Sequence, residues 1–212
     1  IDTIDKMIAK MKEKPWPVYT IKVGTADDIA IVKALRENTD ATLRVDANAA
    51  WDLETALQLI PQLKELGVEL VEQPLAKDDW EGMKVLYKES SLPLYADESC
   101  VVEQDVERCK DHFHGINIKL TKCSGITPAR RMIQKARELS MHVMIGCMNE
   151  STVGAAAIAH LLPFIDHVDM DGPLLLEEDL ATGIGYNYGK ISYSGNPGLG
   201  ITYTGLFSKK LD

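Results

Sequence analysis

Two short runs and the segment between them decide the fold: Thr42-Leu-Arg-Val-Asp-Ala47 and Val68-Glu-Leu-Val-Glu-Gln73, joined by Asn48 to Gly67. Both runs, with Leu43, Val45 and Ala47 in one and Val68, Leu70 and Val71 in the other, read as strands buried on both faces. Between them, Leu53, Ala56, Leu57 and Ile60 recur at i, i+3, i+4 and i+7, the spacing of one apolar helix face. Asp52 precedes that helix as a cap, and Gly67 follows Leu66 as a stop. The stretch is one strand–helix–strand unit.

The same unit recurs on both sides. Val18–Val23, Leu92–Ala96, Gly115–Leu120, His142–Cys147 and His167–Met170 read as further strands. Ile4, Met7, Ile8 and Met11 mark a helix before the first of them. Thr25 ahead of Asp27 and Asp28, and Thr127 ahead of Pro128, read as helix starts. Such alternation defines an α/β chain with a parallel sheet. A barrel of the (β/α)8 TIM type is expected rather than an open doubly wound sheet. Seven similar units run in series, and no Gly-rich phosphate loop follows the first strand. Gly183-Ile-Gly185 and Gly198-Leu-Gly200 neither follow a buried strand nor open a helix, so they are not dinucleotide loops. Seven strands is one short of eight, and the chain opens on a helix, so strand one is expected before Ile1. The barrel, strands two to eight, is assigned to residues 1–180. Residues 181–212, rich in Gly, Tyr, Asn and Ser, are assigned to an irregular tail.

Composition narrows the function. The 212 residues are 45% hydrophobic and 26% charged, an ordinary globular balance. Lys plus Arg number 23 against 32 Asp plus Glu, a net charge of −9, with no basic run. That argues against a nucleic-acid or membrane-surface partner. No apolar run approaches the roughly 20 residues of a membrane span. Cys100, Cys109, Cys123 and Cys147 form no C-x-x-C pair, which argues against structural zinc or disulfides and for a reducing, cytoplasmic setting.

Polar residues interrupt the strand runs at their C-terminal ends: Lys22, Asp46, Glu72, Asp97, Lys119, Cys147 and then Asp169 with Asp171. Spaced 22 to 28 residues apart, they form a ring around one mouth of a barrel, where barrel active sites lie. Three converging carboxylates repel one another, and a divalent cation resolves the repulsion. An all-oxygen set suits Mg²⁺, or Mn²⁺; zinc would call for His or Cys. Lys22 and Lys119 stand on opposite sides of the trio and would face opposite sides of a substrate, an arrangement for moving a proton from one face of a carbon to the other. Asp169 and Asp171, two apart on a strand, would share a face and take a cation, with a loop cap and an ion pair as the plainer alternative. Glu98 reads as a partner of a ligand or lysine, or as a surface residue. Asn48 reads as a neighbour of metal-bound water, or as a turn residue. Cys147 reads as a substrate contact, or as small core filler. The five histidines show no ligand spacing, Trp51 and Trp80 are expected to pack at helix starts, and Lys122 is expected in solvent. A Schiff-base aldolase on Lys119 and a non-enzymatic binding barrel are the rivals from other classes.

Arg44-Val-Asp46-Ala-Asn48, Val71-Glu72-Gln73-Pro74, Ala96-Asp97-Glu98-Ser99 and Asn117-Ile-Lys119 together resemble the enolase superfamily, and within it the muconate-lactonising subgroup. The resemblance implies Mg²⁺ on Asp46, Glu72 and Asp97, and acid/base roles for Lys22 and Lys119. Gly146-Cys147-Met148-Asn149-Glu150-Ser151 and Asp169-Met170-Asp171-Gly172-Pro173 resemble the dipeptide epimerases of that subgroup. The implied activity is an isomerase reaction: 1,1-proton transfer at a dipeptide α-carbon through a metal-stabilised enolate. Cys147 and Met148 would contact substrate, and Asp169 and Asp171 would bind its α-ammonium. N-acylamino acid racemase, o-succinylbenzoate synthase and cycloisomerase remain alternatives on the same scaffold. Two departures stand out. Thr20 replaces the first lysine of the family's Lys-x-Lys, beside the substrate. The family's N-terminal capping domain is not in this sequence, and residues 181–212 would belong to the barrel or pack on that domain. A homo-oligomer is compatible with the resemblance.

Overall fold

A computed structural model describes residues 3–205; the end of the expected tail, 206–212, lies outside the described residues. Seven parallel strands pair in simple chain order: β1 (Val18–Lys22), β2 (Thr42–Asp46), β3 (Val68–Glu72), β4 (Leu94–Ala96), β5 (Gly115–Lys119), β6 (His142–Gly146) and β7 (His167–Val168). Helix α1 (Ile4–Glu13) precedes them. α2 (Asp28–Arg36), α3 (Leu53–Glu65), α4 (Trp80–Glu89), α5 (Asp105–Cys109), α6 (Leu120–Cys123), α7 (Ile126–Glu138) and α8 (Thr152–Ala159) fall between strands or after β6. The sheet curls into an incomplete barrel. Buried Arg44 on β2 bridges the interior to His167 on β7, with Nη2 2.9 Å from Nδ1. Leu70, Tyr95 and Met144 form a small interior cluster, separate from the core between strands and helices.

The register places the strand ends side by side. Lys22 pairs with Asp46, and Asp46 with Glu72. Each of these strands is short and ends on a charged residue, so a row of charges emerges at one rim.

Several local expectations are corrected. Thr25 does not cap α2. The side chain of Asp28 turns back instead, accepting from the backbone N–H groups of Gly24 and Thr25. α7 begins at Ile126, so Thr127 and Pro128 lie inside its first turn. Ser124 and Gly125 have φ of 72° and 107° and redirect the chain directly out of α6. β4 starts two residues late, after Pro93. Leu57 is exposed rather than part of the buried stripe of α3. Asp52 does cap α3, accepting from Thr55 N–H at 2.8 Å, and Gly67 ends it in the left-handed region.

After β7 the chain makes two small antiparallel sheets. One pairs β8 (Ala181–Thr182) with β11 (Thr202–Tyr203), and the other β9 (Ile184–Asn187) with β10 (Lys190–Tyr193). They stay close to the barrel. Tyr193 donates its hydroxyl to Ala159 O at 2.6 Å, and Tyr186 to Met170 O at 2.9 Å.

Candidate active site

The rim over β1 to β5 gathers three carboxylates and three ammonium groups. Asp46, Glu72 and Asp97 are all buried. Lys22 donates to Asp46 Oδ2 in a short ion pair. Asn48 supports the same carboxylate, with its N–H 2.8 Å from Oδ1 and its side-chain amide 3.2 Å from Oδ2. That amide also reaches Glu98 Oε1 at 3.4 Å, which ties Glu98 to Asp46. Glu98 Oε2 is buried without a hydrogen-bond partner. Asn117, on β5, donates to Glu72 Oε1 at 2.6 Å.

Asp97 lies one residue beyond β4 and carries a lysine on each oxygen. Lys119 Nζ stands 2.7 Å from Oδ2 and Lys122 Nζ 2.8 Å from Oδ1. The expectation that Lys122 is solvated is therefore wrong. The single turn of α6 brings position i+3 back over the end of the strand, on the same side as Lys119.

Sequence reading also missed Gln73. It is fully buried with φ of 36°, and its amide fixes the loop after β4. Its Oε1 accepts from the N–H groups of Asp97 and Ser99, each at 3.1 Å, while its Nε2 donates to Ser99 Oγ and Leu75 O. The one available signal was an amide residue between a ligand-type carboxylate and a proline. Gly146, at the end of β6, lies against this group. A Cβ there would come within 2.8 Å of the Asn117 amide and 3.0 Å of Lys119 Cε.

Electrostatics follow from this crowding. Burial, together with the charges of Asp46 and Asp97, pushes the Glu72 carboxyl up to about 8 despite the Asn117 hydrogen bond. Burial works against the Lys22 and Lys119 ammonium groups. The hydrogen bonds and charges of Asp46 and Asp97 outweigh it, so both lysines are raised above the ordinary lysine value.

The other side of the mouth differs. Asp169 and Asp171 are not on a strand, because β7 ends at Val168 and Asp171 precedes a short 3-10 turn. They still converge. One ligand atom from each of Cys147, Asp169 and Asp171 lies within 4.8 Å of the others, and Cys147 Sγ is 3.5 Å from Asp171 Oδ1. Asp46, Glu72 and Asp97 are instead each bonded to a lysine or amide partner. Burial raises the Cys147 thiol to about 12, with the charges of Asp169, Asp171 and Glu150 adding to it. Burial and Asp171 raise Asp169, and the Thr20 hydroxyl, donating to Asp169, offsets part of that. Thr20 thus faces the same mouth from β1. Met148 is half exposed on the loop after β6. Glu150, nearby, is buried with neither oxygen partnered.

A cation fits the first side. Three buried carboxylates offer hard oxygen donors, burial and mutual repulsion disfavour the charge on one of them until a cation offsets it, and Glu98 keeps a buried oxygen unpartnered. The thiol–carboxylate group is a poorer Mg²⁺ site, because its sulfur holds its proton and is the wrong donor.

The fold and this rim define a parallel βα barrel with a carboxylate–lysine mouth. The chain belongs to the enolase C-terminal domain-like family, whose profile matches residues 3–205. It is 55% identical over 202 residues to the L-Ala-D/L-amino acid epimerase of Flavobacterium johnsoniae, covering 95% of this chain and 60% of that protein. Among solved structures it resembles the dipeptide epimerase of Cytophaga hutchinsonii complexed with Mg and the dipeptide D-Ala-L-Val. That likeness has a TM-score of 0.89 and 31% identity, over 96% of this chain and 59% of that one. The N-succinyl Arg/Lys racemase of Bacillus cereus aligns with a TM-score of 0.91 and 29% identity, over 100% and 60%. The chain thus spans about 60% of the length of the relatives it matches. Among the described residues no helix is long and apolar enough to cross a membrane.

Proposed function

We propose that this chain is the catalytic barrel of a Mg²⁺-dependent dipeptide epimerase. The observation that carries the reading is the order of the rim: Lys22, then Asp46, Glu72 and Asp97, then Lys119. A substrate held over the three carboxylates has one lysine at each end. Asp46, Glu72 and Asp97 are the residues to hold Mg²⁺, and Mn²⁺ suits the same oxygens. When bound there, the ion supplies positive charge that offsets carboxylate repulsion and the charge developing on the substrate.

The chain's own groups do the rest. One lysine Nζ, as the free amine, takes the α-proton from one face of the carbon, and that C–H bond breaks. The other, as ammonium, gives its proton to the opposite face, and a new C–H bond forms. The two lysines exchange protonation states and reset with solvent, so no external reductant or oxidant enters. Glu98 and Asn48 orient Asp46, and Asn117 orients Glu72. Asp169 and Asp171 take the α-ammonium at the far end, with Thr20, Cys147 and Met148 beside it.

The likeness to an N-succinyl amino acid racemase favours a second reading, in which the substrate nitrogen is acylated. Two converging carboxylates at the far end, with no lysine or arginine in an ion pair with either among the described residues, favour an ammonium instead. The test is turnover of matched free and N-acetylated dipeptides by the full-length protein before and after exhaustive chelation, and by Lys119→Ala. The free dipeptide should be preferred, chelation should stop turnover, and Lys119→Ala should stop net epimerisation while one enantiomer still exchanges its α-proton. Full activity after chelation, or preference for the acetylated form, overturns the reading.

A further inference from the structure

Asp28 is a buried carboxylate, 1% exposed, that the proposed chemistry does not use. It is the first residue of α2, yet its side chain points back to the loop after β1. It accepts from Gly24 N–H at 2.9 Å to each oxygen, from Thr25 N–H at 2.8 Å and from the Thr25 hydroxyl at 2.9 Å. It also accepts from Trp51 Nε1–H at 2.9 Å, and Trp51 belongs to the loop after β2. All these donors are neutral, so the charge is held by hydrogen bonds alone, the strong charge-assisted kind.

The two loops are in contact as well as bonded. Gly24 has φ of 108°, and a Cβ there would come within 2.6 Å of Ala50 Cβ. Trp51 N–H in turn donates to Pro74 O at 3.1 Å, in the loop after β3. Lys22 precedes Gly24 by two residues, and Asp46 precedes Trp51 by five. The Asp28 carboxylate therefore joins the segment that carries Lys22 to the segment that carries Asp46. Lys119 lies on β5, against Asp97 and Gly146, and shares none of these bonds.

We propose that Asp28 is a positioning residue that fixes Lys22, and not Lys119, against the carboxylate row by pinning the loops after β1 and β2 together through Trp51. The proposal rests on the two-lysine reading above. Proton transfer falls steeply when a group shifts by a fraction of an ångström, so a loosened pin should slow one face of the reaction only.

The experiment measures deuterium uptake from D₂O at the α-carbon of each enantiomer separately, with the full-length protein and Mg²⁺. Lys22→Ala first identifies the enantiomer whose exchange depends on Lys22. Asp28→Asn keeps the shape but turns one acceptor into a donor facing the N–H groups. It should slow that enantiomer's exchange about ten- to a hundredfold, change the other by less than about twofold, and leave KM nearly unchanged. Trp51→Phe removes one donor and should shift the ratio the same way by about threefold, and it decides the matter if Asp28→Asn does not fold. Equal losses for both enantiomers, or none for either, overturn the positioning role. A parent protein that exchanges neither enantiomer overturns the two-lysine reading instead.

Discussion

The two sides of the barrel mouth solve the same problem differently. Over β1 to β5, three carboxylates face three lysines, and every described carboxylate of the row has a partner. Over β6 and β7, Asp169, Asp171, Glu150 and the Cys147 thiol cluster without a bonded lysine or arginine among the described residues. Sequence distance does not explain the contrast, since both sides follow the same strand–helix unit. The difference lies in what each side supplies for itself. The first side is internally balanced and therefore shaped in advance. The second is offset only in part, by the Thr20 hydroxyl and the charges of Lys22 and Arg44 acting on Asp169, and leaves room for a cation brought from outside. That suits a division between chemistry on one side and recognition of a cationic group on the other.

The strongest way to break this contrast is to remove one charge from the balanced side. Glu72→Gln should abolish turnover. It should also stabilise the metal-free protein at pH 8 by about 1–3 kcal/mol, because the burial cost of the Glu72 charge and its repulsion by Asp46 and Asp97 both disappear. Thermal unfolding with and without Mg²⁺ measures both effects. A metal-free variant less stable than the parent would show that the row is not under repulsion.

A smaller effect is expected from the unbalanced side. Asp171→Asn should lower kcat/KM for free dipeptides roughly ten- to a hundredfold, the worth of one charge-assisted hydrogen bond in a closed site. N-acetylated dipeptides, which the proposed reading makes poor substrates, should change little. Equal losses for both would remove the distinction between the two sides.

The smallest effect is on pH. In the folded protein Glu72 keeps its proton up to about pH 8, whereas the unfolded chain releases it near the ordinary value of 4.5. Its contribution is fully present below 4.5 and is lost as pH rises toward 8. Metal-free stability should therefore decline across that window, and saturating Mg²⁺ should flatten the decline. A flat profile without metal would contradict the raised carboxyl.

Much of the balanced side was legible because β1, β2, β3 and β5 are short strands that each end on a charged residue. The trio and both lysines could be named from such endings alone, although their roles come from resemblance. Asp169 and Asp171 were named on the wrong grounds. Strand alternation was invoked, but the chain leaves the strand at Val168 and the 3-10 turn brings them together. Lys122, Gln73 and Asp28 were misread or passed over because their partners lie in other loops. Lys122 depends on a single helical turn after β5, Gln73 on a left-handed backbone angle, and Asp28 on an indole 23 positions away. No local pattern encodes such partners.

Gly146 has an evolutionary consequence. A side chain there would press on the Asn117 amide that holds Glu72 and on the Lys119 stem together. One substitution would thus disturb at once the amide that holds a proposed metal ligand and the stem of a proposed acid/base lysine. This position leaves little room for gradual divergence. New specificities on this scaffold would have to arise elsewhere around the mouth, where the residues answer to the substrate rather than to each other.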